Sequence, residues 1–174
     1  MSGHAKTSHA ALRRLTTLLR REELRVATAE SCTGGALAAA LTDLPGSSHW
    51  FVAGWVVYSN AAKQRDLGVR AATLARHGAV SAATVRELAA GALARSGAEL
   101  AVSISGIAGP GGAVPGKPVG TVWFGFAVRQ GRRRRLETVV MRFRGDRAAV
   151  RHKAVEFALR ALYSMALRGS LYTS

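Results

Sequence analysis

Apolar and polar residues recur along this chain with periods that predict both helices and strands. Near the start, Leu12, Leu15, Leu18 and Leu19 recur at helical spacing and form one stripe of an amphipathic helix. Apolar runs rich in β-branched and aromatic residues, such as WFVAGWVVYS at residues 50–59, are typical of strands buried on both faces. We predict helices over residues 8–23, 35–44, 72–77, 81–96 and 147–167. We predict strands over residues 24–29, 50–59, 99–105, 119–128 and 136–143.

The order of these elements indicates the fold class. Strands and helices mostly alternate, which favours a sheet covered by helices on both faces. Residues 130–135 join the last two strands and are too few for a crossover helix, so this pair should be antiparallel. The sequence therefore predicts an α/β fold, a three-layer α/β/α sandwich with a mixed sheet of about five strands, one antiparallel. No linker or internal repeat divides the chain, so we expect residues 1–174 to form one domain.

The chain is strongly basic, with 25 Lys and Arg against 10 Asp and Glu and a formal net charge of +15. Such a charge attracts phosphate groups, nucleic acid or an anionic membrane. Aromatic residues are not interleaved with the basic run at residues 132–135, which we expect in a solvated hairpin turn, and no nucleic-acid-binding motif is present. No apolar run reaches the length of a bilayer span. We therefore expect neither nucleic acid nor a membrane as a partner.

The cysteine and histidine content limits the possible chemistry. Cys32 is the single cysteine, so an internal disulfide is impossible, which fits a reducing cytoplasm. The five histidines are scattered, and none has ligand spacing with Cys32 or with a pair of carboxylates. We therefore expect a cytoplasmic protein that uses neither a protein-built metal site nor a cofactor.

Polar segments follow three of the predicted buried strands. Residues 31–35 follow the first strand, residues 58–63 follow the second and residues 103–117 follow the third. If these strands are parallel, their carboxyl ends meet at one edge of the sheet, which is where ligands bind in open α/β folds. The sequence therefore predicts that the three segments form one site.

The residue types in these segments suggest nucleophilic chemistry. Ser31 is a candidate nucleophile, and Lys63 could be its base if burial lowers the lysine pKa. Tyr58 could orient Lys63 or bind a substrate, or it could simply lie at the rim. Cys32 is an alternative nucleophile beside a helix N-terminus, or a buried and inert thiol. Ser31 and Thr33 could also do no more than cap the following helix.

Two further features could hold an anion. Glycines in residues 106–112 allow backbone N–H groups to approach a ligand. Residues 111–117 have the glycine and lysine spacing of a Walker A loop, but Pro118 replaces the required Ser or Thr, so this motif is excluded. The predicted last helix begins among arginines that either form a phosphate clamp or remain solvated, and they are Arg142, Arg144, Arg147 and Arg151.

Six blocks, taken together and in this order, resemble the CinA C-terminal domain family. The blocks are TAESCTGG at 28–35, GSSHWFVAGWVVYSNAAKQRDLGV at 46–69, HGAVS at 77–81, AVSISGIAGPGG at 101–112, KPVGTVWFGFA at 117–127 and FRGDR at 143–147. The resemblance covers nearly the whole chain. One departure is Ala113, which stands where the family usually has the second glycine of a pair.

The resemblance implies an amidohydrolase that converts nicotinamide mononucleotide and water to nicotinic acid mononucleotide and ammonia without a metal. It places the nucleophile on Ser31, its lysine partner on Lys63 and the active-site tyrosine on Tyr58. It also implies a homo-oligomer, for which we expect a dimer. The predicted substrate-binding residues are Glu30, Cys32, Thr33, Gly34, Gly35, Asn60, Ser105, Gly106, Gly109, Arg147 and Arg151.

Two alternatives remain open at this point. The same chemistry could act on another small amide, which a panel of amides would reveal. The chain could instead be a basic binding module associated with competence or DNA damage and without catalysis, which predicts salt-sensitive retention on nucleic acid.

Overall fold

The computed structural model describes residues 3–131 and 133–168, and this part of the chain forms helices and strands in the predicted order. The helices are α1 (Gly3–Arg21), α2 (Ala36–Thr42), α3 (Asn60–Leu67), α4 (Ala71–His77), α5 (Ala82–Ser96) and α6 (Arg147–Arg168), with a short 3-10 helix at Ser47–His49. The strands are β1 (Val26–Glu30), β2 (Phe51–Val56), β3 (Leu100–Gly106), β4 (Thr121–Gln130) and β5 (Arg133–Arg142).

The strands form one mixed sheet in the order β2-β1-β3-β4-β5. Strand β1 is parallel to both β2 and β3, whereas β4 is antiparallel to both β3 and β5. Helices α1, α2 and α6 cover one face and helices α3, α4 and α5 cover the other. The predicted three-layer fold with one antiparallel strand is therefore confirmed.

Each face of the sheet has its own hydrophobic core. The predicted stripe of α1, Leu12, Leu15, Leu18 and Leu19, is buried, and Leu12, Leu15 and Leu19 join the core beneath α6. Full burial of one such side chain contributes about 1.5–3 kcal/mol. The second core lies under α5 and contains smaller side chains, among them Ala27, Ala29 and Ala101. No helix among the described residues has the length and apolarity needed to cross a membrane.

Strand β2 differs from its prediction. The run at residues 50–59 suggested a strand buried on both faces, but β2 is an edge strand paired only with β1, and Val52 and Val56 are exposed. An apolar run shows that its side chains tolerate burial but does not give the number of neighbouring strands. The sequence therefore could not distinguish an edge strand from a strand buried on both faces. The strand also ends at Val56 instead of Ser59, and Ser59 caps α3, a helix that we did not predict.

The arginine-rich connection between the last two strands is also tighter than predicted. Strand β5 already begins at Arg133, so Arg133, Arg134 and Arg135 belong to the strand and pair with the end of β4. Arg132 lies outside the described residues. The hairpin turns at Gly131, whose φ of +59° suits glycine.

Candidate active site

The carboxyl ends of β1, β2 and β3 lie side by side, and the predicted segment 31–35 contacts both segment 58–63 and segment 103–117 there. The N–H of Ser31 donates to the carbonyl of Ile104 in β3 at 2.9 Å. The N–H of Val57, directly after β2, donates to the carbonyl of Glu30 at 2.8 Å. Ser31 therefore continues β1 between two neighbouring chain segments, at the edge where α/β folds bind ligands.

Ser31 and Lys63 face each other at this edge. Lys63 lies in α3, its side chain is 1% exposed, and its Nζ is 3.3 Å from Ser31 Oγ. The same Nζ donates to the carbonyls of Val57 and Tyr58, each at 2.8 Å. A neutral amine has two N–H donors and one lone pair. With both donors on these carbonyls, the lone pair is left for the hydroxyl proton of Ser31.

Burial lowers the pKa of Lys63, because the charged ammonium loses its hydration. The second contribution comes from Cys32, raises the pKa of Lys63 and is smaller than the effect of burial. The three hydrogen-bond partners of Nζ are a hydroxyl and two carbonyls, so none supplies a full negative charge. The surroundings therefore favour the neutral amine that a general base requires.

Cys32 does not have the surroundings of a nucleophile. Its side chain is buried in the hydrophobic core below α6, and this burial raises the pKa of the thiol to about 11. Burial outweighs the lowering by the backbone hydrogen bond at Cys32 and by Arg147 and Arg151, so the net shift is upward and not the decrease suggested by the nearby helix N-terminus. Cys32 is therefore a protonated thiol at neutral pH, which agrees with the inert alternative.

The start of α2 is occupied by a carboxylate from the chain itself. Glu30, at the end of β1, is fully buried and accepts from the N–H groups of Gly35 at 3.1 Å, Leu37 at 3.0 Å and Ala38 at 2.8 Å. Gly35 enters the helix with a φ of +91°, which favours glycine. The carboxylate thus caps α2 in place of Ser31 or Thr33 and does not face a substrate.

We expect substitution of Glu30 to destabilise the turn that carries Ser31. Glu30→Ala leaves buried N–H groups without an acceptor and should cost about 2–4 kcal/mol of unfolding free energy. Glu30→Gln keeps one accepting oxygen and should cost less. Denaturant unfolding measures both values, and Asp43→Asn, an exposed carboxylate at the other end of α2, is the matched control. Equal stability of Glu30→Ala and Asp43→Asn would contradict the capping role.

Two main-chain donors beside Ser31 remain available. Across the described residues, the N–H groups of Cys32 and Thr33 donate to no other residue, whereas the N–H of Gly34 donates to the carbonyl of Ser31. The hydroxyl of Thr33 is buried without a hydrogen-bond partner. Two adjacent N–H groups next to a nucleophile are the arrangement that stabilises an oxyanion.

Two arginines of α6 tie the loops of the site together. Arg147 donates to the carbonyl of Gly109 at 3.0 Å and to the hydroxyl of Tyr58 at 3.3 Å. Arg151 donates to the carbonyl of Thr33 at 2.8 Å and lies beside Gly34. Each guanidinium has five donors, so both retain donors for an anion. Arg142 and Arg144 make no side-chain contact with these loops in the part of the chain that the structure describes.

The remaining predicted residues are distributed around this centre. Tyr58 is 60% exposed, so its phenol lies at the rim while its carbonyl holds Lys63. Asn60 is exposed at the start of α3. Ser105 is buried, and its hydroxyl donates to the carbonyl of Ala79 at 2.8 Å instead of facing Ser31. Gly106 ends β3, where a Cβ would lie 2.8 Å from the carbonyl oxygen of Thr121.

Two contributors were missed by the sequence analysis. The carbonyl of Val57 carries no sequence signal, because every residue has one. Ser59, whose hydroxyl accepts from the N–H of Ala62 at 3.0 Å, starts the helix that carries Lys63 and has the residue type of a helix cap. No group of three His, Cys, Asp or Glu side chains that could hold a metal occurs among the described residues.

Comparisons with known proteins agree with this arrangement of elements. The chain matches the family model of the CinA C-terminal domain over residues 8–166. It is 56% identical over 134 residues to the nicotinamide-nucleotide amidohydrolase PncC of Enterobacter agglomerans, covering 77% of this chain and 80% of the relative. It is 53% identical over 147 residues to the protein of the same name from Escherichia coli K12, covering 83% and 86%.

A solved structure shows the same fold. The crystal structure of a competence-damaged protein (CinA) superfamily protein from Klebsiella pneumoniae superposes with a TM-score of 0.86 at 45% identity. The match covers 92% of this chain and 98% of that chain.

Proposed function

Since this chain belongs to the CinA C-terminal domain family, we propose that it is a nicotinamide-nucleotide amidohydrolase. The reaction is hydrolysis of the carboxamide of nicotinamide mononucleotide to nicotinic acid mononucleotide and ammonia. The observation that carries this proposal is the contact of Lys63 Nζ with Ser31 Oγ at 3.3 Å, with both other amine contacts on carbonyls. The names of relatives at 53% and 56% identity support the choice of substrate.

The first half of the reaction would form an acyl-enzyme. Lys63 accepts the proton of Ser31 as Oγ attacks the carboxamide carbon, which gives a tetrahedral intermediate with a negative oxygen. The N–H groups of Cys32 and Thr33 bind this oxygen, and one such donor contributes about 3–4 kcal/mol where it has been measured in another hydrolase. Lys63 then returns the proton to the nitrogen, the C–N bond breaks and ammonia leaves.

The second half would regenerate the enzyme. A water molecule attacks the ester carbon and gives one proton to Lys63, and a second tetrahedral intermediate forms at the same N–H groups. Its collapse breaks the ester bond, and the proton on Lys63 returns to Ser31 Oγ. Every proton is carried by Lys63, so the proposed reaction requires neither a metal nor a cofactor, and we expect turnover to survive treatment with EDTA.

Arg147 and Arg151 are the proposed partners of the substrate phosphate. Arg147→Ala should raise KM for nicotinamide mononucleotide about 10- to 100-fold, because it removes charge-assisted hydrogen bonds. Nicotinamide riboside lacks the phosphate, so its kcat/KM should change far less. Arg144→Ala is the matched control, since Arg144 is exposed three residues earlier. Equal losses on both substrates would show that Arg147 does not act through the phosphate.

The direct test is ammonia release by the purified protein from a panel of amides. The panel contains nicotinamide mononucleotide, nicotinamide riboside, nicotinamide, asparagine and glutamine. We expect the highest kcat/KM for nicotinamide mononucleotide. Preference for a compound without phosphate would show that the substrate is a different amide hydrolysed by the same chemistry. Ammonia release from none of the compounds would contradict the proposal.

A further inference from the structure

A concave, basic surface lies away from Ser31, on the side of the sheet covered by α5. We call it the basic groove and define it by Arg70, Arg86, Glu87, Arg95 and Arg134, which surround a cavity of about 690 Å³. It runs between the end of α3, the outer side of α5 and the start of β5. Arg147 and Arg151 project from α6, whose layer covers the other face. The basic groove is therefore separate from the proposed substrate phosphate site.

The charges of the basic groove are not balanced within the chain. Glu87 accepts from the backbone N–H of Arg70 at 2.9 Å, from its Nε at 2.7 Å and from the hydroxyl of Thr73 at 2.7 Å, so this carboxylate neutralises Arg70. Arg86 uses one donor on the carbonyl of Leu136 at 3.3 Å. Side-chain donors of Arg95 and Arg134 reach no acceptor in the described ranges of the chain.

Asp66, the carboxylate that interacts with the charge of Arg95, is already paired with Arg65. Asp66 experiences the charge of Arg95, but Arg65 binds both carboxylate oxygens of Asp66, at 2.6 and 2.9 Å. Three guanidinium groups around the cavity, those of Arg86, Arg95 and Arg134, therefore form no ion pair with a carboxylate of the described residues, and Arg95 shares the charge of Asp66 with Arg65. Like charges held together repel one another and lower the free energy of unfolding, and a bound anion removes this cost.

The floor of the basic groove is apolar. It is formed by small residues of α5 that recur on one side of the helix, and they are Ala83, Ala90, Gly91 and Ala94. Gly91 is required by packing, since a Cβ there would lie 2.1 Å from the carbonyl oxygen of Leu67. Leu67 and Leu136 complete the apolar lining. A ligand that fits has an apolar part for the floor and several negative charges for the rim.

We propose that the basic groove binds an organic polyphosphate of the nucleoside di- or triphosphate class. Guanidinium groups bind phosphate oxygens through two parallel hydrogen bonds, and a ring system can lie on the alanine floor. The cavity volume of about 690 Å³ lies within the range of roughly 300–1,000 Å³ that is usual for small-molecule sites. The proposal does not depend on the amidohydrolase activity, because binding is measured without turnover.

The test is calorimetric titration at constant ionic strength with ATP, inorganic tripolyphosphate and adenosine as probes. We expect ATP to bind most tightly, tripolyphosphate more weakly and adenosine not at all in the same range. Arg95→Gln/Arg134→Gln should weaken ATP binding about tenfold or more. The control Arg13→Gln/Arg20→Gln on α1 removes the same charge and should leave the affinity nearly unchanged. Arg147→Ala should also leave it unchanged, which excludes binding at the active site.

Two further measurements keep the outcome decisive. Ala90→Glu fills the floor with a negative side chain on the surface of α5 and should abolish ATP binding even if the double variant folds poorly. Without ligand, Arg95→Gln/Arg134→Gln should unfold at a higher temperature than wild type in low salt, because repulsion is removed, and this difference should shrink in high salt. The control Arg13→Gln/Arg20→Gln should show a smaller rise in unfolding temperature.

Three outcomes would overturn the proposal. Equal loss of ATP binding in the groove variant and the control pair would mean general attraction to a basic protein. Loss of ATP binding only in Arg147→Ala would place the nucleotide in the active site. Tight binding of a short DNA duplex that ATP cannot displace would assign the basic groove to nucleic acid.

Discussion

Ser31→Ala is expected to lower kcat for ammonia release from nicotinamide mononucleotide by at least about 10⁴-fold, while the protein stays folded. The reason is that no other group in the described structure combines the required features of a nucleophile. Ser31 Oγ is 3.3 Å from a buried amine, and the N–H groups of the next two residues, Cys32 and Thr33, donate to no other described residue. Removing one hydroxyl leaves the helices and strands around it in place.

The matched control for this variant is Cys32→Ala. Cys32 is the neighbouring residue and was the alternative nucleophile, but burial raises the pKa of its thiol to about 11. We therefore expect Cys32→Ala to retain most of the turnover at some cost in stability from the lost core volume. The opposite pattern, with Cys32→Ala inactive and Ser31→Ala active, would assign the covalent step to the thiol.

Lys63→Met should have the second largest effect, a fall in kcat of about 10³-fold or more, since general-base catalysis contributes roughly 10²–10⁴-fold. Methionine preserves the length and apolar volume of the buried stem but cannot accept a proton. Lys153→Met is the control, because Lys153 belongs to α6 and donates to the carbonyl of Arg144 away from Ser31. Normal turnover of Lys63→Met would show that another group takes the serine proton.

The pKa of Lys63 also determines how activity depends on pH. Lys63 must be neutral to accept the proton of Ser31, so kcat should rise with pH through the pKa of this amine. Burial lowers that pKa from its ordinary value of 10.5, so the rise should lie below pH 10.5. A profile of kcat against pH measures it, and a rise centred at 10.5 or above would contradict the lowered pKa.

The free energy of unfolding should also depend on pH through Lys63. Between the lowered pKa in the folded protein and 10.5 in the unfolded chain, the unfolded state binds more protons, so the free energy of unfolding increases with pH in this window. Below the window both states are protonated and the cost of burying the charge is constant. The stability of wild type relative to Lys63→Met should therefore increase as pH rises through the window, as denaturant unfolding at several pH values would show.

The sequence was informative where one residue type has one common role. The helix predicted over residues 81–96 is α5, and Ser81, a residue type that commonly caps helices, accepts from the N–H of Thr84 at 3.2 Å through its hydroxyl. The leucine stripe of α1 follows directly from helical spacing, and parallel strands bring their carboxyl ends together whatever the details of their loops. The fold and the proximity of Ser31 to Lys63 could therefore be anticipated.

Other features depend on distances that a sequence does not contain. In the sequence, Glu30 cannot be told from an acidic residue that binds a substrate. The structure shows that its carboxylate accepts hydrogen bonds from three N–H groups at the start of α2. Ser105 was grouped with the substrate-binding residues, yet its hydroxyl donates to the carbonyl of Ala79, a partner that the strand pattern does not indicate. The edge position of β2 depends on strand order, which local patterns do not report.

The carboxylate of Glu30 also makes the two sides of the site differ in charge. The positive end of the α2 dipole, which attracts phosphate in many α/β proteins, is neutralised here from within the sheet. A phosphate at that end would meet a buried negative charge, whereas at the start of α6 it would meet Arg147 and Arg151. We therefore expect a singly phosphorylated substrate to bind with its phosphate near Arg147 and Arg151 and with its other end towards Ser31.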